Sequence, residues 1–249
     1  DPVNDSPTNA RGFTPGRGLD FDKVDDLVNV GNDASLDITE AVTIAAWIRP
    51  ESGGNFPKIL SKWAGSGATN ELYQLGIEGT KLFAEVTTTT GNHRRETANG
   101  VVTFDQLQHA AMTYDRATGT MRVFLNGELV QEWTNVSGAI QTSTEPVLIG
   151  AKANPNPVQH FEGLIDEVQL WNTARTPAQV KADMNRALDD METGLVGYWR
   201  FEEGAGGTVF DRSGNGNHGS LGGGNPDAIP TFGPSDAPLF NAVPPAVPT

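Results

Sequence analysis

The stretch Gly163-Leu164-Ile165-Asp166-Glu167-Val168-Gln169-Leu170-Trp171 alternates apolar and polar residues, as a strand with one buried face does. It carries an Asp in its middle, and a buried carboxylate is costly unless it is hydrogen-bonded or holds a cation. A helix start follows at once: Thr176 as N-cap, Pro177 at the first helical position and Gln179 three residues after the cap. Val180, Met184, Ala187 and Leu188 share one face, which predicts a single short helix over 176–188. Elsewhere the chain is a succession of short alternating runs, among them 42–48, 58–63, 73–77, 81–86, 109–114, 121–125, 129–133 and 194–201. Asn126-Gly127 joins two of these runs, and both residues tolerate the positive φ of a tight hairpin turn. Many short strands and one short helix predict an all-β fold, two antiparallel sheets packed as a sandwich.

Composition narrows the function. The 17 Lys and Arg face 31 Asp and Glu, a net charge of −14, so phosphate-rich partners such as nucleic acid or anionic membranes fit poorly. Cysteine is absent, which excludes a disulfide framework and thiol chemistry. A bacterial exoprotein commonly does without disulfides, so an extracellular or cell-surface bacterial location is expected. No apolar run reaches the ~20 residues of a membrane span. The four His show no zinc spacing.

Four phrases carry a resemblance. GLDFDKVDDLVNV (18–30), VTIAAWIRP (42–50), HAAMTYDRATGTMRVFLNGELV (109–130) and GLVGYWRFEEGAGGTVFDRSGNGNHGSL (194–221) resemble, in order, phrases of the bacterial laminin G-like, concanavalin A-like family. GLIDEVQLW (163–171) is similar to another of its phrases. The resemblance implies a jelly roll over 12–222, preceded by an interdomain linker (1–11) and followed by a Gly/Pro-rich segment or linker (223–249). It also implies a non-catalytic module of a large adhesin, flanked by other domains of the same chain. A structural spacer in a repeat array and a glycoside hydrolase are the alternatives. Laminarinase-type relatives carry Glu-x-Asp-x-x-Glu, because retaining chemistry needs carboxyls ~5 Å apart. That spacing does not occur here, and Glu162 and Glu167, five residues apart in a regular strand, point to opposite faces. Pentraxins, also in the superfamily, bind calcium through acidic residues after a Leu-Gly pair. The corresponding stretch here, Gly150-Ala151-Lys152-Ala153-Asn154, has Lys and two Ala instead.

The resemblance implies one structural Ca2+ joining the first strand to a late one. Asp166, Asp22 or Asp20, and Asp211 are the candidate ligands, since calcium takes several oxygens. Asp166 accepting backbone N–H groups, and a Gly/Asn turn around Asp211, are the structural alternatives. Asp25-Asp26, read as adjacent residues of a strand, would face opposite ways and suggest a solvated turn. A glycan or cell-surface protein is the expected partner. Sugar recognition needs an aromatic plane with planar hydrogen-bonding groups. Asn70, Glu71 and Tyr73, then His93 and Arg94, then Asn156 and His160 mark three polar segments that offer them. Trp63, following Ile59 and Leu60 in a strand, is expected in the core.

Overall fold

The computed structural model describes residues 16–65, 71–153, 158–188 and 192–239. The strands in chain order are β1 (Gly16–Asp22), β2 (Val28–Gly31), β3 (Ala41–Pro50), β4 (Lys58–Trp63), β5 (Glu71–Glu78) and β6 (Lys81–Thr88). They continue with β7 (Gly91–Glu96), β8 (Gln108–Asp115), β9 (Thr120–Leu125), β10 (Glu128–Trp133), β11 (Val147–Ile149) and β12 (Glu162–Trp171). After the helix α1 (Pro177–Asp183) come β13 (Leu195–Trp199), β14 (Thr208–Val209), β15 (Gly219–Leu221) and β16 (Thr231–Ser235). They form two eight-stranded antiparallel sheets. Sheet I runs β10-β9-β8-β3-β12-β1-β16, with β13 also on β12, and sheet II runs β14-β15-β2-β11-β4-β5-β6-β7. The antiparallel sandwich predicted from the pattern, a jelly roll by the resemblance, is the architecture observed. The segment after residue 222, expected as a Gly/Pro-rich segment or linker, supplies β16, which pairs with β1 from Gly16↔Ser235 to Asp20↔Thr231.

Alternation places Val42, Ile44, Ala46 and Ile48 of β3 in the core, with Ala110, Met112 and Tyr114 of β8 and Tyr73, Leu75 and Ile77 of β5. The other face of β3 is also covered, because α1 packs on the outside of sheet I. Val180 meets Ala45, Ala111 and Phe124, and the Trp47 indole donates to the Met184 carbonyl at 2.7 Å. The capping box forms as predicted: Gln179 N donates to Thr176 Oγ1 and Thr176 N donates to Gln179 Oε1. The helix is shorter than 176–188. It stops at Asp183, whose buried carboxylate is held by Arg175 (2.6 Å) and Arg186 (2.7 Å) while the chain turns. Asn126 (φ 52°) and Gly127 (φ 75°) make the tight turn between β9 and β10.

β12 departs from regular alternation. Its inward residues change from Ile165 to Val168 and Leu170, and its register on β3 slips between Asp166 and Gln169. Glu167 takes φ 51° in this bulge. On the opposite edge, β1 pairs with residues 162–165 and β13 with 168–171. The bulge therefore sits where β12 exchanges one neighbour for another. Glu167, 1% exposed, does not pair with Glu162; it accepts from the Tyr198 hydroxyl and from Arg200 Nε. Burial lifts the Asp166 and Glu167 carboxyls above the usual carboxylate range, Asp166 further by the charge of Glu167.

Candidate functional site

The outward-facing positions of sheet II carry an ionic network. Strand register sets Gln74, Glu85 and Arg94 in one row across β5, β6 and β7, and Gly76, Phe83 and Glu96 in the next. Gly76 is needed there: a Cβ would lie 2.5 Å from the Phe83 ring, which covers it. Lys58 Nζ and the Arg94 guanidinium lie 4.5 and 4.0 Å from the centroid of that ring. The connection from β11 to β12 folds onto the same face. Ser61 Oγ donates to the Ala151 carbonyl at 2.9 Å, and Lys58 N donates to the Gln159 carbonyl at 3.2 Å. It delivers Lys152, whose ammonium is 3.0 Å from Glu71. Between these parts lies a cleft of about 410 Å3, lined by Phe56, Lys58, Gln74, Glu85, Arg94 and Lys152 among others.

Its charges are closely matched. Glu85 accepts from Gln74 Nε2 (2.6 Å), Asn92 Nδ2 (2.7 Å) and Glu71 N (3.1 Å). Arg94 is clamped by Glu78 (2.6 Å) and Glu96 (3.0 Å). Lys58 and Glu71 are 2% and 0% exposed. Burial pulls the Lys58 ammonium down and pushes the Glu71 carboxyl up, each against the opposing charges beside it. Two buried acceptors, Glu71 Oε2 and Gln74 Oε1, have no hydrogen-bond partner. At the rim, Asn55 and Phe56 both hold left-handed backbone, φ 63° and 55°, and Phe56 is 38% exposed. Consecutive non-glycine residues in that region store strain, as functional loops do.

Of the residues expected to bind ligand, Glu71 and Arg94 come together in this cleft network. Tyr73 points the other way, into the core, where its hydroxyl donates to the Leu36 carbonyl at 2.9 Å. His93 stands opposite Val86, off the cleft rows, with Thr90 Oγ1 at 3.2 Å. His160 lines a separate pocket of about 440 Å3 with Leu27, Trp63 and Leu148, and its Nδ1 is 3.1 Å from the Asp26 carbonyl. Asn70 and Asn156 lie outside the described residues. Trp63 is buried, but on the outside of sheet II with Leu27, Leu148, Ala151 and Ala153, apart from the main core. The pattern gave no sign of Phe56, Lys58, Gln74 or Lys152. Only the shared parity of Phe83 and Glu85 in β6 marks an outward polar row.

The four candidate calcium ligands are not assembled. The β1–β12 register sets Asp22 opposite Glu162 and carries Asp166 to Gly18, whose Cβ position is 3.1 Å from that of Asp166. Asp22 and Asp166 are thus four residues apart along the strand, roughly 13 Å, too far to share an ion with ligands at ~2.3–2.6 Å. Asp166 accepts from Glu167 N at 2.7 Å. Asp20 lies 3.6 Å from Arg49. Asp211 accepts four donors: Tyr198 N of β13 and, within its own turn, Ser213 N, Ser213 Oγ and Asn217 N, at 2.8–2.9 Å. A different trio converges. The chain bends after β1, so Asp25 and Asp26 are not in a strand, and Asp22, Asp25 and Asp26 bring carboxylate oxygens within 4.8 Å of one another. Burial and the charges of Asp22 and Asp25 lift Asp26 to about 6, although Asp22 N donates to it.

A family model described as the concanavalin A-like lectin/glucanases superfamily matches residues 22–181. A rat protein, the sushi, von Willebrand factor type A, EGF and pentraxin domain-containing protein 1, is 25% identical over 191 residues; the match covers 74% of this chain and 5% of that protein. Among solved structures, a Bacteroides ovatus protein described as a candidate carbohydrate-binding protein superposes with a TM-score of 0.69 at 18% identity. That match covers 91% of this chain and 62% of the other. The CBM40 of a Ruminococcus gnavus sialidase, bound to α2,3-sialyllactose, gives 0.53 at 16% identity, covering 67% and 95%. At these identities the solved structures speak for the fold.

Proposed function

Because the chain belongs to the concanavalin A-like lectin/glucanase superfamily, we propose that it is a non-catalytic glycan-binding module whose site is the ion-lined cleft on sheet II. The observation that carries this reading is the pairing of an unpartnered acceptor in the cleft lining, Gln74 Oε1, with an exposed aromatic ring, Phe56, at the rim. Sugars offer hydroxyl donors and an apolar ring face, and the cleft offers the complement. A binding role also fits the carboxylates. A hydrolytic acid or nucleophile must reach the scissile bond, whereas Glu71 is wholly buried and Glu85 is held by three donors. The setting proposed is a bacterial surface or secreted adhesin with other domains in the same chain.

Phe56→Ala is expected to weaken glycan binding about tenfold, the loss of roughly 1.4 kcal/mol at a contact. The melting temperature should stay within about 2 °C, because the ring is at the rim. Titration calorimetry against a glycan selected on an array reads the first value and calorimetric scanning the second. A module silent across the array is a spacer and not a lectin.

Calcium belongs to the same proposal, with Asp22, Asp25 and Asp26 as its donors. Three carboxylates provide hard oxygens of the type calcium takes, and their mutual repulsion is relieved by a cation. Saturation at a hundred times the dissociation constant would stabilise the fold by about 2.7 kcal/mol. The melting temperature should then fall with chelator, and Asp26→Asn should remove the difference. Magnesium should substitute poorly, being reluctant to shed water. An unchanged melting temperature in metal-stripped protein would refute the site.

A further inference from the structure

We infer that the cleft accepts an uncharged, hydroxyl-rich glycan and rejects acidic sugars, on the reading that this cleft is the glycan site. The argument is a census of its donors and acceptors. Three cations face it, and each already lies against opposing charge. Lys152 is 3.0 Å from Glu71. Arg94 is clamped by Glu78 and Glu96 and covered on one side by Phe83. Lys58 lies over the Phe83 ring, opposed by Glu71 and Glu85. The amide donors are engaged as well, since Gln74 and Asn92 both donate to Glu85.

What is left over is acceptor. Glu71, Glu78, Glu85 and Glu96 stand against those three cations and Lys81, which is 3.0 Å from Glu96, so no cation of the cleft is left unopposed, while Gln74 Oε1 in the lining receives no hydrogen bond. A sugar carboxylate brings only acceptors. To bind, it would have to take a cation from an existing pair and leave a carboxylate of the protein uncompensated in a largely buried setting. A neutral sugar hydroxyl brings the donor that Gln74 Oε1 lacks. An acidic sugar such as the sialyllactose bound to that CBM40 is therefore expected to be a poor ligand for this cleft. Its discrimination comes from repulsion as much as from attraction.

The test is a glycan array in matched pairs, each acidic glycan beside its uncharged counterpart, probed with the wild-type chain and with E78Q/E96Q. The wild type should favour the uncharged member at least tenfold, and a tenfold change in ionic strength should alter its affinity little. E78Q/E96Q releases the Arg94 guanidinium and should gain binding to the acidic members, a gain that mere destabilisation cannot produce. Preference for acidic members by the wild type overturns this inference and leaves the glycan-binding reading intact. Equal binding to both members, unchanged in E78Q/E96Q, also overturns it. Silence across the array overturns the glycan-binding reading and the inference with it.

Discussion

Glu71→Ala is expected to lower the melting temperature by roughly 6–12 °C at neutral pH. Removing one member of a buried ion pair costs about 3 kcal/mol, because the buried partner loses an opposing charge. In a domain of this size each kcal/mol is worth about 2–4 °C. The partner is Lys152, itself 8% exposed, and Lys58 beside it is 2% exposed. The effect arises from the lost opposing charge and not from lost volume, so the double variant Glu71→Leu, Lys152→Met should recover most of the loss. Scanning calorimetry of the three proteins checks this. A single variant that melts with the wild type would mean that the pair contributes nothing net.

His109 should make the fold acid-sensitive. It is 1% exposed, neither ring nitrogen has a hydrogen-bond partner, and the Trp47 ring lies 5.4 Å away. Burial alone drives its pKa down to about 3. The unfolded chain therefore takes up this proton near pH 6.5, while the native state resists it until about pH 3. Stability is lost as pH falls through that window, by on the order of 4 kcal/mol at pH 3. Buried carboxyls with raised pKa, such as Asp166 and Glu167, act in the opposite sense and gain stability on acidification. The measurable quantity is thus a difference. The free energy of unfolding of His109→Leu minus that of wild type should grow by that amount from pH 7 to pH 3. A difference independent of pH would show that the ring is solvated or paired in solution.

The fold was legible because its signals are local. Alternation, the Asn126-Gly127 turn and the Thr176–Gln179 capping box each act within a few residues, and each produced the expected element. The cleft was legible only in part because it is made by register. Gln74, Glu85 and Arg94 are adjacent through strand pairing, and Lys152 arrives on a connection folded back from β11. Nothing in the spacing of those residues announces that they meet. The bulge at Asp166-Glu167 is a sharper case. Counting parity from Glu162 to Glu167 assumes an unbroken strand, and one extra residue reverses which face follows. Asp25 and Asp26 were expected in a solvated turn; the chain does bend at Asp25, but Asp26 is buried and the carboxylates of Asp22, Asp25 and Asp26 converge, which pairwise alternation does not show.

The adjacency of β1 and β16 bears on how the domain meets tension. Gly16 stands opposite Ser235, so the described chain enters and leaves at the same corner of sheet I. A pull on both ends loads that ladder from its open end, and its cross-strand bonds break in turn instead of resisting together. The ladder is also lightly fastened, for Gly18 faces Gly233 and Pro234 has no N–H to donate. Stretched between two anchors, such a domain would unzip at its hem first, releasing slack while the cleft across the sandwich keeps its shape.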